Sequence, residues 1–179
     1  MLKNKENFEY IQNILKVISV GNGTKEYYGN FTLKEKEIIK LNTIDFSLNL
    51  FSGESKIGNI RIDYCCKNAT HNCDVFDYLN HCINFNIKFK TIIIDAPYNN
   101  KFADKYQKIG NTPKQFIIFA DAKKTTILFD KIKQISPDII IIKSWNYYIL
   151  KGYFLKEGYV CYAGGYRKPT FLLILKKDN

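Results

Sequence analysis

Lys90-Thr91-Ile92-Ile93-Ile94-Asp95-Ala96-Pro97-Tyr98-Asn99 is the stretch on which the reading of this chain turns. Four β-favouring residues run into an acid, then a proline and an aromatic. An unbroken apolar run of this length, closed by a turn, is the pattern of a parallel strand buried on both faces. The acid falls at the carboxyl end of that strand, the edge at which open α/β sheets collect their ligands. Asp95 and Tyr98 are therefore the first residues around which a pocket is expected.

Working upstream, residues 46–50 and 59–64 read as two more strands, with the glycine-bearing turn Phe51-Ser52-Gly53-Glu54-Ser55-Lys56-Ile57-Gly58 between them. A parallel pair normally needs a crossover of roughly a dozen residues or more. The connection here is shorter, so its helix is expected to be missing or reduced to one turn. Residues 72–74 offer a short third strand, and 75–82 a helix with Phe76 and Leu79 inward. Thr32 with Glu35 three residues on has the form of a capping box. It predicts a helix to about residue 41, before which residues 7–18 carry Phe8, Ile11, Ile14, Leu15 and Ile18 at helical spacing.

Downstream, the polar loop 99–112 carries Lys101, Phe102, Lys105, Tyr106 and Lys108. Pro113 suits the first turn of a long helix to about residue 135, stopped by Ser136-Pro137-Asp138. Residues 139–143 form a further buried strand, and 148–156 read as a helix ended by Gly158. Residues 159–162 and 170–175 alternate as strands. Gly164-Gly165-Tyr166-Arg167-Lys168-Pro169 joins them, so they can close an antiparallel hairpin on an otherwise parallel sheet. The expectation is an α/β chain with a mostly parallel seven-stranded sheet, an antiparallel C-terminal strand and helices on both faces. Residues 1–179 are expected to form one domain, with 1–41 a helical segment packed on it.

Composition narrows the setting. No apolar stretch reaches the roughly 18 residues of a membrane span, and the N-terminus lacks an apolar signal region. A cytoplasmic chain is expected. Five cysteines are an odd number and lack the paired spacing of a zinc site, so buried free thiols are expected. A zinc set drawn from Cys65, Cys66, His71, Cys73, His81 and Cys82 is the alternative, and no metal is expected. The net charge of +10 favours a polyanionic partner such as nucleic acid. A Lys-, Asn- and Ile-rich composition gives the same total without a binding face.

Three strands end in acids: Asp63, Asp74 and Asp95. In a doubly wound sheet these ends share one edge. A glycine turn lets backbone approach a ligand closely, an acid after the next strand can accept both hydroxyls of a ribose, and an acid after the third can meet an adenine amine. Each acid has a plainer reading as a turn residue or helix cap.

Leu50-Phe51-Ser52-Gly53, Ile62-Asp63, Cys73-Asp74 and Asp95-Ala96-Pro97-Tyr98, in that order, resemble the motifs of class I S-adenosylmethionine-dependent methyltransferases. The nearest group is the amino-methyltransferases with a D/N-P-P-Y motif, of the adenine-specific DNA methylase type. The resemblance runs from about Asn30 to the C-terminus and implies the Rossmann-like methyltransferase fold with S-adenosylmethionine as cofactor. It implies that Phe51, Ser52 and Gly53 line the methionine side, that Asp63 holds the ribose and Asp74 the adenine, and that Phe31 packs on the cofactor. On the target side, Asp95 and the Ala96 carbonyl would accept the two hydrogens of an exocyclic amine. Pro97 would stiffen the turn, and Tyr98 would stack on a base taken out of its helix. Lys101, Lys105, Trp145 and Arg167 are candidate substrate contacts, against which a solvated loop, packing and turn geometry are the simpler accounts.

This sequence departs from the family pattern in three places. The second glycine of the F-x-G-x-G turn is absent, the helix after that turn is nearly lost, and Ala96 stands for the first proline of D-P-P-Y. Methylation of an exocyclic base amine, adenine in DNA first, is the activity implied. An RNA base amine is the alternative substrate, and a non-catalytic subunit that binds nucleic acid or a partner is the alternative class. With no segment long enough for a target-recognition domain, specificity would come from a homodimer mate or a separate subunit.

Overall fold

The computed structural model describes residues 15–21, 31–97, 119, 121–164 and 168–178. Their elements, in chain order, are β1 (Leu15–Ser19), α1 (Leu33–Asn42), β2 (Ser47–Leu50), β3 (Ile60–Asp63), β4 (His71–Asn72), α2 (Val75–Asn84), β5 (Thr91–Ile94), α3 (Ala122–Ile135), β6 (Ile139–Ser144), β7 (Tyr153–Tyr162) and β8 (Thr170–Lys177). The strands form one sheet in the order β1-β7-β8-β6-β5-β2-β3-β4. β8 lies antiparallel to both β6 and β7, and the other pairings are parallel.

The isoleucine runs make the centre. β5 and β6 pair in register, Thr91 with Ile139 through Ile94 with Ile142, and every residue of both strands is buried. Side chains alternate faces along a strand. Leu48, Leu50, Ile92, Ile94, Ile140 and Ile142 pack on one side with Leu79 of α2 and Leu128 and Ile132 of α3. Ile93, Ile139 and Ile141 pack on the other with Ile39 of α1, Leu172, Ile174 and Phe31.

β2 and β3 are joined by nine residues and no helix, as their spacing predicts. Backbone in the left-handed region makes this short parallel connection possible: Phe51 (φ +58°), Gly53 (φ +50°) and Gly58 (φ +97°). At Gly58 a Cβ would stand 3.2 Å from Asn49 Cβ and 3.3 Å from the Ile60 carbonyl, so only glycine fits without displacement.

Three expectations need correction. Residues 15–18 are not helical: they form β1, an eighth strand along β7. Leu15 lies opposite Gly158, where a Cβ would come 2.7 Å from Leu15 Cδ2. Gly158 thus makes room for a neighbouring strand rather than ending a helix. Residues 153–156 are likewise strand, with Tyr153 and Leu155 buried and Phe154 and Lys156 exposed, a period of two that a short apolar run does not distinguish from a helix turn. Finally, α3 starts behind its own cap, Asp121, whose Oδ1 accepts the N–H groups of Lys123 (3.0 Å) and Lys124 (3.1 Å). Pro113 lies outside the described residues. Among the described residues, no helix is long and apolar enough to cross a membrane.

Candidate functional site

Because β2 to β6 run parallel, their carboxyl ends share one edge of the sheet. Phe51-Ser52-Gly53, Asp63, Asp74, Asp95-Ala96-Pro97 and Trp145 all lie there, at or just beyond the ends of successive strands. Tyr98, Lys101, Lys105 and Arg167 lie outside the described residues.

Asp63 is the hub of the β2–β3 side of this edge. Its Oδ2 accepts the Gly53 N–H at 3.0 Å, which ties the glycine turn to the next strand end. Its Oδ1 accepts the N–H groups of Cys66 (2.9 Å) and Cys65 (3.2 Å), fixing the loop beyond β3. A carboxylate oxygen has two lone pairs, so these bonds orient the group and leave it acceptor capacity. Asn72 carries the linkage on: its Nδ2 donates to the Asp63 carbonyl at 3.1 Å and to the Cys66 carbonyl at 3.0 Å. Asp74 caps α2, its Oδ1 accepting from Phe76 N (2.7 Å) and Asp77 N (3.3 Å).

Ser52 sits inside this frame. Its backbone N–H donates to the Ile62 carbonyl at 2.9 Å, and its carbonyl accepts from Ser55 N at 2.9 Å. Its hydroxyl is buried and has no hydrogen-bond partner among the described residues. An orphaned buried hydroxyl carries a desolvation cost of about 1–3 kcal/mol that a polar ligand beside the turn would relieve. The donors and acceptors at this turn fit a cofactor that offers hydroxyls and a charged amino-acid end.

The β5–β6 side has a feature that reading the strands one at a time passes over. Lys143 continues the buried run of β6 with a side chain only 8% exposed, and its Nζ donates to Glu35 Oε2 at 3.1 Å. That same oxygen accepts the Thr32 N–H at 2.7 Å, closing the capping box of α1. The ammonium also stands over the Phe31 ring, 5.1 Å from its centroid. Asp95 follows Ile94 and Lys143 follows Ile142, the last matched pair of the β5–β6 register, and the Asp95 carboxylate acts electrostatically on the Lys143 ammonium. Burial pushes the ammonium down, but Asp95 and Glu35 more than offset this, and Lys143 ends above the ordinary lysine value. Cys161 closes the cluster from β7. Burial, then Glu35, drives its thiol up to about 12.

Phe31 is buried in the α1-side core beneath this ammonium. Trp145 is half-buried, with the Lys168 ammonium 4.9 Å from its ring centroid. Ala96 faces the other side, buried with Ile94. All five cysteines are free, Cys65 exposed and Cys66, Cys82 and Cys161 buried. No group of three or more His, Cys, Asp or Glu among the described residues could hold a metal ion. The signal for Lys143 was in the sequence: a lysine continuing four isoleucines in a buried strand needs a buried acid, and the acid was Glu35.

No family model matches this sequence, and no curated protein does. Solved structures do. SMU.776, assigned as a methyltransferase and crystallised with SAH, superposes with a TM-score of 0.50 at 15% identity, over 80% of this chain and 48% of its own. The Pyrococcus abyssi tRNA (uracil-54, C5)-methyltransferase, in complex with S-adenosyl-L-homocysteine, gives a TM-score of 0.45 at 13% identity, over 84% of this chain and 40% of its own. The chain therefore spans about half the length of the structures it matches. Strand order, the reversed β8 and the superposition on SMU.776 agree on one architecture: this chain has a Rossmann-like methyltransferase fold.

Proposed function

We propose that this protein is an S-adenosylmethionine-dependent methyltransferase acting on an exocyclic amine of a nucleic-acid base, with adenine in DNA as the first substrate and an RNA base amine as the second. The observation that carries the reading is the coupled strand edge: a glycine turn bonded to Asp63, with the orphaned Ser52 hydroxyl inside it, at the end of the strand adjacent to the one that ends at Asp95-Ala96-Pro97. The bound cofactor would supply an electrophilic methyl group on a sulfonium. Phe51, Ser52 and Gly53 would line its methionine end, Asp63 would accept from the ribose, and Asp74 from the adenine amine. Asp95 would accept one hydrogen of the target amine and the Ala96 carbonyl the other, holding the nitrogen lone pair on line with the methyl group. Such positioning of a nucleophile supplies much of the acceleration a transfer of this kind needs. The net charge of +10 suits a polyanionic substrate, and Tyr98, Lys101, Lys105, Trp145 and Arg167 are the contacts proposed for it.

The test is transfer of labelled methyl from S-adenosylmethionine to DNA and to RNA in separate assays. Asp95→Ala should lower the rate by at least about a hundredfold, the scale of losing one well-placed polar group, while calorimetric binding of the cofactor persists. Full activity in Asp95→Ala would overturn the amine-clamp mechanism. A specific observation favours a competing reading, a chain that binds nucleic acid or a partner without transfer: Asp74 already spends Oδ1 on its helix cap. Absence of cofactor binding at millimolar concentration would decide for it.

A further inference from the structure

The α1 side of the sheet holds a buried charge cluster that the proposed transfer does not by itself require. Its members come from four elements. Glu35 lies in the first turn of α1 and is 1% exposed, Lys143 is the penultimate residue of β6, Asp95 follows β5, and Cys161 comes from β7. The titratable and charged groups acting on Lys143 are Asp95, Glu35 and Cys161, and Lys34 acts in turn on Cys161. A buried ammonium is strongly disfavoured unless acids accompany it, and the chain supplies two from positions far apart in sequence. They belong to different halves of the site. Glu35 belongs to the capping box that fixes the Phe31-Thr32 entry into α1, which the methyltransferase reading assigns to the cofactor side. Asp95 belongs to the target side.

We propose that Lys143 is a positioning residue that couples the two halves: its ammonium holds the Asp95 carboxylate ionised and aimed, and through Glu35 and the Phe31 ring sets that carboxylate in fixed relation to the cofactor segment. The inference rests on the methyltransferase reading for its use of Asp95 and Phe31, but the contact network stands without it. Lys143 touches neither reacting atom; it acts through Asp95. A lysine serving only to fill the core or to cap charge would stabilise the fold without setting the ionisation of Asp95.

Carboxyl carbon NMR of Asp95, followed against pH, separates the two. Lys143→Met leaves Glu35 buried without its cation, so Lys143→Met combined with Glu35→Gln is the variant that keeps the fold, checked by circular dichroism. In it the Asp95 midpoint should move up by about one unit or more, the size expected of losing a nearby opposite charge. Lys143→Arg, which keeps the charge, should restore the midpoint. Asp95→Asn, at a half-buried position beyond the sheet, reads the same coupling from the other side: the Lys143 Nζ signal should lose its proton at a lower pH than in the unaltered protein. Calorimetry with SAH should show affinity falling severalfold in the double variant. An Asp95 midpoint unmoved in the folded double variant, or a Lys143 signal unmoved in Asp95→Asn, overturns the proposal. A coupled Asp95 in a protein that binds no SAH would leave the network standing and overturn the methyltransferase reading instead.

Discussion

The two faces of the sheet are built on opposite principles. The face under α2 and α3 is a dry contact of Leu48, Leu50, Ile92, Ile94, Ile140 and Ile142 against Leu79, Leu128 and Ile132. The face under α1 is a smaller apolar cluster threaded by buried polar groups: Asn49, Glu35 and Lys143. Apolar packing stabilises without caring which neighbour provides the carbon. Buried polar groups are costly unless each meets its partner, so they fix one arrangement. The polar face is the one that reaches Asp95 and the α1 entry. The division suggests that one face of this sheet carries stability and the other carries alignment.

Breaking the polar face is expected to give the largest effect. Lys143→Met alone strands Glu35 in a buried site, and removing one member of such a pair costs about 3–5 kcal/mol. Adding Glu35→Gln should return a good part of that loss, so the double variant melts above the single one. On the dry face, Ile132→Ala should cost about 2–5 kcal/mol through lost contact and residual cavity, with no second substitution nearby that rescues it. Urea melts of the three variants check the pattern. Equal, unrescued losses on both faces would erase the distinction.

How much of this was legible in the sequence follows the same line. The dry face was, because Ile92-Ile93-Ile94 and Ile139-Ile140-Ile141-Ile142 declare buried strands by composition alone, and the order of Asp63, Asp74 and Asp95 declares the edge they share. The capping box at Thr32 and Glu35 was legible because both partners lie within one helix turn. The rest depends on distant partners. Lys143 meets Glu35 across 108 residues, and nothing local to either tells which acid finds which base. β1 pairs with β7 from the far end of the chain, and the spacing of Leu15 and Ile18 serves a helix as well as a strand. The bond from Gly53 to Asp63 lies between these cases: the turn and the acid are both visible, their contact only in three dimensions.

Alkaline pH should sharpen the comparison next. Burial, with Glu35 beside it, pushes the Cys161 thiol up to about 12, and burial with Glu157 does the same to Tyr159. On the dry side burial lifts Cys82 to about 11, and burial with Asp138 lifts Tyr153 to about 12. All four shifts are upward, so the folded chain holds these protons more tightly than the unfolded one. The stability they represent is full below the ordinary values of 9.0 for thiol and 10.0 for tyrosine, and is lost as pH rises through the folded values near 11 and 12. Lys143, also raised, works in the same direction. The thermal midpoint should hold to about pH 9 and fall steadily toward pH 12, and Cys161→Ala should soften that fall. A midpoint flat across this range would show that these groups are not buried neutral in the fold.

The smallest expected effect falls at Asp74, where structure and proposed chemistry share one side chain. Its Oδ1 caps α2 through Phe76 N and Asp77 N, and its proposed second task is to accept an adenine amine. The two separate because capping needs only an oxygen near the helix start, whereas the second task uses the carboxylate. Serine caps about as well as aspartate, so Asp74→Ser should shift stability by no more than a few tenths of a kcal/mol, while Asp74→Ala should cost about 1 kcal/mol. If Asp74 serves the cofactor, both variants should weaken SAH binding to the same extent despite their different stabilities, as titration calorimetry would read. If affinity instead follows stability, with serine binding as well as aspartate, then Asp74 is a cap and no more, and the proposed cofactor edge narrows to the glycine turn and Asp63.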